Sequence, residues 1–283
     1  MATAKVDGLN IVYEIVGGSG PVVAVMPGAR RGYLEMRPLA EKIAAHGFRV
    51  FLHDRRNTGA SDMRFDDSDT EEAIWADELN RLLRQLGLLP AYISGSSSGA
   101  RTSINYALRH PRDLKGLIAM RVTGGAFAAR RLPQHYYRVF IEAAQKGGMA
   151  AVCETDRFAD YIANNPAVRA QLLAMDPKRF IEIQTNLLKK FEAGASLPVM
   201  GAPEAELRSI RVPTLVIPGN DNTHSSVSGE AAHRMIAGSE IYRLPIEDQD
   251  VDLITWTDWS HLEPEIAGAY GDFMQRMEKK RAA

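Results

Sequence analysis

The chain has one cysteine, Cys153, among its 283 residues. An intramolecular disulfide and a multi-cysteine zinc centre are therefore both excluded. Long apolar runs are missing as well. No segment approaches the ~18 consecutive apolar residues of a membrane span, and Met1-Ala2-Thr3-Ala4-Lys5-Val6-Asp7 lacks the apolar core of a signal peptide. Charge of one sign is not in excess, with 34 Lys and Arg against 35 Asp and Glu, a formal net charge of −1. The pairs Arg30-Arg31, Arg55-Arg56 and Arg130-Arg131 do not extend into runs, so neither nucleic acid nor a membrane surface is an expected partner. The sequence also contains no phosphate-loop pattern and no cluster of metal-ligand residues, so no cofactor and no metal is expected. The expectation left is a cytoplasmic, soluble protein that meets a small-molecule substrate. The oligomeric state is not read from the sequence.

What is present is ordinary core-forming material, 45 % hydrophobic residues, enough for a sizeable core at this length. The first third alternates short β-rich runs with helical patterns. Residues 10–15 alternate as a strand does and end at Gly17-Gly18, and residues 21–26 form a continuous apolar run. A helix over 39–45 stops at Gly47, and a strand follows over 49–53. Trp75, Leu79, Leu82, Leu83 and Leu86 fall at helical spacing before Gly87. A strand at 91–94, a helix to Arg109 and a strand at 114–120 complete the alternation. It predicts an α/β fold with a mostly parallel sheet flanked by helices. Residues 126–208 read as helical with no convincing strand, and a β pattern resumes at 213–219. A core of 1–125 and 209–283 interrupted by a helical cap over 126–208 is thus expected, the cap lying over the carboxyl ends of the strands.

Gly95-Ser96-Ser97-Ser98-Gly99 carries the strongest chemical signal. A Gly-x-Ser-x-Gly pattern arises by chance in roughly one chain of this length in ten, and a flexible linker is the plain alternative. A β run directly before it and a helix directly after it argue against the linker. The motif needs that strand–turn–helix setting, because a tight turn raises the central hydroxyl clear of the sheet. Ser97 is the one serine centred between the glycines. The Ser98 N–H, at the positive end of the following helix, is placed to meet a developing oxyanion.

With these residues in view, the chain resembles the α/β-hydrolase superfamily over nearly its whole length. Pro27-Gly28-Ala29 looks like the turn that supplies the second oxyanion N–H, here that of Ala29. Members usually carry His-Gly at that turn, where this chain has Pro27-Gly28. Residues 54–61, Asp-Arg-Arg-Asn-Thr-Gly-Ala-Ser, resemble the family's structural loop. The resemblance implies a triad in the chain order serine, acid, histidine. Asp221, in Gly219-Asn220-Asp221 after the strand of residues 215–217, looks like the acid, although Asn-Asp-Asn is good turn chemistry too.

Seven histidines compete for the base. His46 and His110 read as helix C-terminal residues, His233 as a helix-face residue, His135 as part of the insertion, and His53 as the residue before the 54–61 loop. His261, between the last strand (expected at 240–244) and the final helix (264–280), occupies the family's location for the base. Residues 246–252 and the aromatic stretch from Trp256 to Trp259 intervene, however, where members usually reach the histidine at once. His224, three residues beyond Asp221, is the rival. It reads as an alternative base, a substrate contact or a loop brace, of which the brace is the favoured reading.

A complete triad implies attack by Ser97 on an electrophilic carbonyl, with an acyl-enzyme then released by water. A serine hydrolase acting on a small or medium carboxylic ester or lactone is the first reading. A C–C bond hydrolase of ring-cleavage products is the second, and it needs a carboxylate grip, for which Arg121 at the end of a strand is the candidate. A non-catalytic small-molecule-binding protein on the same scaffold is the third. Phe127, Tyr136, Tyr137, Phe140, Met149 and Phe158 suggest an apolar-lined lid or the insertion's own core.

Overall fold

The computed structural model describes residues 1–282. Eight strands form one sheet: β1 (Ala2–Val6), β2 (Leu9–Val16), β3 (Val22–Met26), β4 (Arg49–His53), β5 (Ala91–Ser96), β6 (Leu114–Met120), β7 (Thr214–Ile217) and β8 (Glu240–Ile241). Their order is β1-β2-β4-β3-β5-β6-β7-β8. The pairs β1–β2 and β2–β4 are antiparallel and every pairing from β4–β3 to β7–β8 is parallel.

The continuous apolar runs of the central strands follow from burial on both faces. In β3, Val22, Ala24 and Met26 enter one hydrophobic cluster while Val23 and Val25 enter the other. In β6, Leu117 and Ala119 face the first cluster and Ile118 and Met120 the second. The helices α1 (Arg37–Ala44), α2 (Glu71–Gln85) and α3 (Ser98–Arg109) follow the early strands. Leu79 and Leu82 of α2 and Ile104 of α3 cover the first face, while Leu39 and Ile43 of α1 cover the second.

Between β6 and β7 the chain makes helices only: α4 (Gly125–Pro133), a π turn at Gln134–Arg138, α5 (Val139–Cys153), α6 (Asp156–Asn164), α7 (Ala167–Leu173), α8 (Pro177–Ala193) and α9 (Glu204–Leu207). They enclose clusters of their own, one around Phe140, Phe158 and Phe180 and another around Tyr137, Leu187 and Phe191. The aromatic residues noted in the insertion are thus largely its own core. Polar bonds tie this layer to the loop 54–70 and the start of α2. Tyr161 donates to the Ser61 carbonyl (2.7 Å), Tyr137 to Glu71 (2.8 Å) and Asn186 to Asp67 (2.7 Å). Three more helices finish the fold: α10 (Ser226–Met235), α11 (Trp256–Trp259) and α12 (Glu263–Ala282). Tyr270 and Phe273 of α12 bury against the second face of the sheet.

Two elements differ from the expectation. β1 is not read from the sequence, yet Asp7-Gly8 closes a two-residue hairpin with Val6 opposite Leu9. Both turn residues have positive φ, 50° and 83°, the geometry that Asp-Gly favours. The last strand is shorter than 240–244 and ends at Ile241. The Tyr242 N–H still reaches the Val216 carbonyl (2.9 Å), after which Pro245, having no N–H, cannot extend the ladder. No described helix is long and apolar enough to cross a membrane.

Candidate active site

Ser97 sits at the junction of β5 and α3 with φ 58° and ψ −114°. Such a backbone stores on the order of 1–3 kcal/mol of strain and persists only where its surroundings enforce it. The flanking glycines show why the turn can be so tight. A Cβ on Gly95 would lie 2.4 Å from the Gly99 carbonyl carbon, and one on Gly99 would lie 2.6 Å from the Met26 carbonyl oxygen. Ala29 (φ 43°) and Arg121 (φ 50°) also have left-handed backbones. With Ser97 they are three of the five non-glycine residues of that kind among the described residues, and all three line one cavity of about 570 Å³.

The partner of Ser97 is His224, not His261. His224 Nε2 lies 2.9 Å from Ser97 Oγ, and its Nδ1 lies 3.0 Å from both carboxylate oxygens of Asp221. An ionised carboxylate only accepts, so Nδ1 carries the imidazole proton and Nε2 is left to accept from the serine hydroxyl. All three residues are buried.

The short Asp221–His224 spacing has a local cause. Asp221 Oδ1 accepts from the N–H groups of Thr223 (2.9 Å) and His224 (2.8 Å). This turn, built by an aspartate on its own following backbone, brings the imidazole back over the carboxylate. Gly219 makes room for it, since a Cβ there would stand 2.2 Å from the His224 carbonyl oxygen. The turn chemistry that competes with a functional reading of Asp221 in the sequence is thus the device that positions the histidine.

His261 is exposed on the turn between α11 and α12, and its Nδ1 donates within its own turn, to the Asp258 carbonyl at 2.8 Å. Trp256 and Trp259 bury into the sheet cluster and fix α11 as an anchor, which leaves His261 on the outer side. The expectation that places it beside Ser97 is therefore corrected. The stretch before His261 braces the Asp221 turn instead. The Ile254 N–H donates to Asp221 Oδ2 (3.0 Å), Thr223 donates to the Asp252 carbonyl (2.6 Å), Asn220 to the Glu247 carbonyl (2.9 Å) and Trp259 Nε1 to Asn220 Oδ1 (3.0 Å).

Arg121, expected as a carboxylate grip, lines the cavity but is already engaged. Its Nη2 donates to Asp221 Oδ2 (2.8 Å) and to the Ile254 carbonyl, and the guanidinium stacks over Trp259 at 4.6 Å. The same nitrogen lies 3.2 Å from His224 Nδ1. Two donors meet there, both directed at Asp221. Burial alone would raise the Asp221 pKa, but the His224 imidazole, the Ile254 N–H and Arg121 together hold it well below the usual carboxylate range. Burial, with Arg121 adding to it and Asp221 opposing, lowers His224 to about 4. The imidazole is therefore neutral, and able to take a proton, at neutral pH.

The residues expected to meet an oxyanion also converge. The Ala29 N–H and the Ser98 N–H, the latter in the first turn of α3, donate to no acceptor among the described residues. Arg55, read from sequence only as part of the 54–61 loop, clamps this turn. It donates to the carbonyls of Pro27 (3.2 Å) and Ala29 (3.0 Å) and to Ser98 Oγ (3.2 Å), and Ser98 Oγ in turn donates to the Ala29 carbonyl (2.5 Å). The clamp is held over Trp75 at 4.4 Å.

The chain is similar to several known proteins. The family described as serine aminopeptidase, S33, matches residues 19–244. An uncharacterized hydrolase, YraK, of Bacillus subtilis is 31 % identical over 116 residues, 41 % of this chain and 42 % of that protein. The chain therefore matches less than half the length of that relative. A 2-hydroxy-6-oxononadienedioate/2-hydroxy-6-oxononatrienedioate hydrolase of Pseudomonas putida is 26 % identical over 90 % of this chain and 88 % of its own. The crystal structure of the enol-lactonase from Burkholderia xenovorans LB400 superposes with a TM-score of 0.66 at 20 % identity, covering 97 % of this chain and 100 % of that one. The family match runs from the strand before the Ala29 turn through the elbow to the end of the sheet, and on that extent the chain belongs to the S33 family of α/β hydrolases.

Proposed function

We propose that the protein is a serine hydrolase of small or medium carboxylic esters or lactones, with Ser97 as nucleophile, His224 as general base and Asp221 as the acid that orients it. One observation carries this reading: His224 bridges Ser97 Oγ at 2.9 Å and Asp221 at 3.0 Å in a buried site. Ser97 Oγ attacks the substrate carbonyl carbon as His224 Nε2 takes its proton. The carbonyl oxygen becomes an oxyanion before the Ala29 and Ser98 N–H groups. The imidazolium, stabilised by Asp221, returns the proton to the departing alkoxide and leaves an acyl-enzyme. Water, deprotonated by the same imidazole, releases the acid. General base help supplies about 10²–10⁴-fold, and an oxyanion donor about 10²–10³-fold.

The assembled hydrogen-bond chain favours turnover over mere binding. The family description names an aminopeptidase, but an amine-recognising pocket calls for carboxylates. Here Arg30, Arg31, Arg121, Arg131 and Arg157 line the cavity against Glu35, Asp156 and Asp160. The 26 % identity over nearly the whole length of the Pseudomonas putida hydrolase keeps a C–C bond hydrolase as the second reading, since the same nucleophile and base serve it. We further propose that the helical layer of 126–208 acts as a cap over this site. A panel of aryl esters, lactones and vinylogous diketone acids, assayed with wild type and Ser97→Ala, tests the assignment. Ester or lactone hydrolysis lost in Ser97→Ala supports the first reading, and turnover of the diketone acids alone supports the second. Activity surviving Ser97→Ala contradicts both.

A further inference from the structure

The arginines of the cavity are not equivalent. Arg30 is paired with Glu71 and also donates to the Tyr136 carbonyl (3.1 Å). Arg121 is bound to Asp221, Arg131 to Asp252 (3.1 Å), and the exposed Arg31 lies 3.8 Å from Glu35. Arg157, on the second residue of α6, is different. No carboxylate among the described residues comes within 4.0 Å of it, and its one hydrogen bond goes from Nη2 to the Asn57 carbonyl (3.0 Å). Its Nε is buried with no partner.

The charge around it makes the imbalance plain. Glu71 is the anion nearest in effect to Arg157, yet Glu71 already receives Arg30 and the Tyr137 hydroxyl. The carboxylate of Glu71 is thus spent on Arg30 and Tyr137, and Arg157 makes no ion pair with it. Burial, reinforced by Arg30, pushes the Arg157 pKa down to about 9, the direction a cation takes when its compensation is missing. Asp156 and Asp160, on the same helix, line the cavity as well, but both are exposed, and solvent screens them. Phe158 and Phe140 pack on the Arg157 guanidinium at 4.7 and 5.6 Å and hold it at the wall. A planar fork with free N–H groups, fixed in place and short of an anion, matches a carboxylate.

We propose that Arg157 is the receptor for a free carboxylate carried by the substrate, so that the ester or lactone cleaved at Ser97 is an anionic one. This rests on the hydrolase reading above. Arg121, whose guanidinium is spent on Asp221, holds the acid, and Arg157 meets the ligand.

The test compares 4-nitrophenyl half-esters of succinic, glutaric and adipic acid with their methyl-capped, neutral counterparts. Wild type is expected to favour the best half-ester at least tenfold in kcat/KM. In Arg157→Gln that ratio falls to near one, chiefly through a higher KM for the half-ester, and Arg157→Lys restores part of it. Equal rates on charged and neutral esters in wild type, or a preference untouched in Arg157→Gln, overturn the proposal while leaving the hydrolase reading in place. If neither ester turns over, the hydrolase reading fails, and calorimetric titration with monomethyl glutarate still decides the carboxylate site. Binding to Ser97→Ala at least tenfold tighter than to Ser97→Ala/Arg157→Gln sustains it, and equal binding overturns it.

Discussion

Two loops at the carboxyl end of the sheet divide the work unexpectedly. The six-residue turn 219–224 carries both Asp221 and His224, while the stretch 242–262, more than three times as long, contributes a single backbone N–H, that of Ile254, to the acid. The short loop achieves this by bonding to itself, with two successive N–H groups on Asp221 Oδ1 and no room for a side chain at Gly219. The long one is held by its tryptophans to the core and leans on the short one through Asn220, Thr223 and Trp259. A base three residues from its acid is fixed by local turn geometry. A base delivered by a distant loop depends on how that loop packs. The lesson is that a histidine's distance in sequence from the acid says less than whether the intervening turn can close.

The largest effect that separates the two loops comes from their histidines. His224→Ala should lower kcat by up to about 10⁶-fold, more than general base help alone supplies, because nucleophile and base act as a unit and Ser97 without its base loses its activation too. His261→Ala, by contrast, should leave steady-state kinetics at the wild-type level. Asp221→Asn comes next, with a loss on the order of 10⁴-fold in kcat from an imidazole that loses its tautomer and its counter-charge. The pH profile follows. His224 must be neutral to act, and burial beside Arg121 lowers it to about 4. The acid limb of kcat/KM should therefore fall near pH 4, below the ~6.5 of an ordinary imidazole. The smallest effect sharpens the role of the brace. Arg121 lowers the His224 pKa by its charge, so Arg121→Met should move that limb to higher pH, with a kcat loss smaller than that of Asp221→Asn. A limb that stays in place would detach Arg121 from the base.

Much of this was legible from the residues. The alternation of strand and helix fixed the parallel sheet because buried strands must be apolar on both faces, and β3 and β6 are. Ser97 was legible because a Gly-x-Ser-x-Gly turn between a strand and a helix has few other uses. The Asp7-Gly8 hairpin carries a weaker signal, its first strand being short and largely exposed. The place of His224 beside Ser97 was obscured for a physical reason. Asn220-Asp221-Asn222 signals a turn, and reading the turn as an alternative to function hid that it aims His224. The signal available was the spacing itself, a histidine three residues after a turn aspartate. Arg157 could not be singled out among 34 basic residues, because an arginine's lack of a partner shows only once its neighbours are placed around it.

Fluorophosphonate labelling with mass spectrometry of the modified peptide tests whether His224 activates Ser97, without any knowledge of the substrate. The reagent reports an activated serine in an oxyanion-competent site. Wild type and His261→Ala should be labelled at Ser97 at the same rate, and His224→Ala should be labelled far more slowly or not at all. Rapid labelling of His224→Ala would contradict activation by His224, and loss of labelling in His261→Ala would assign the base to His261.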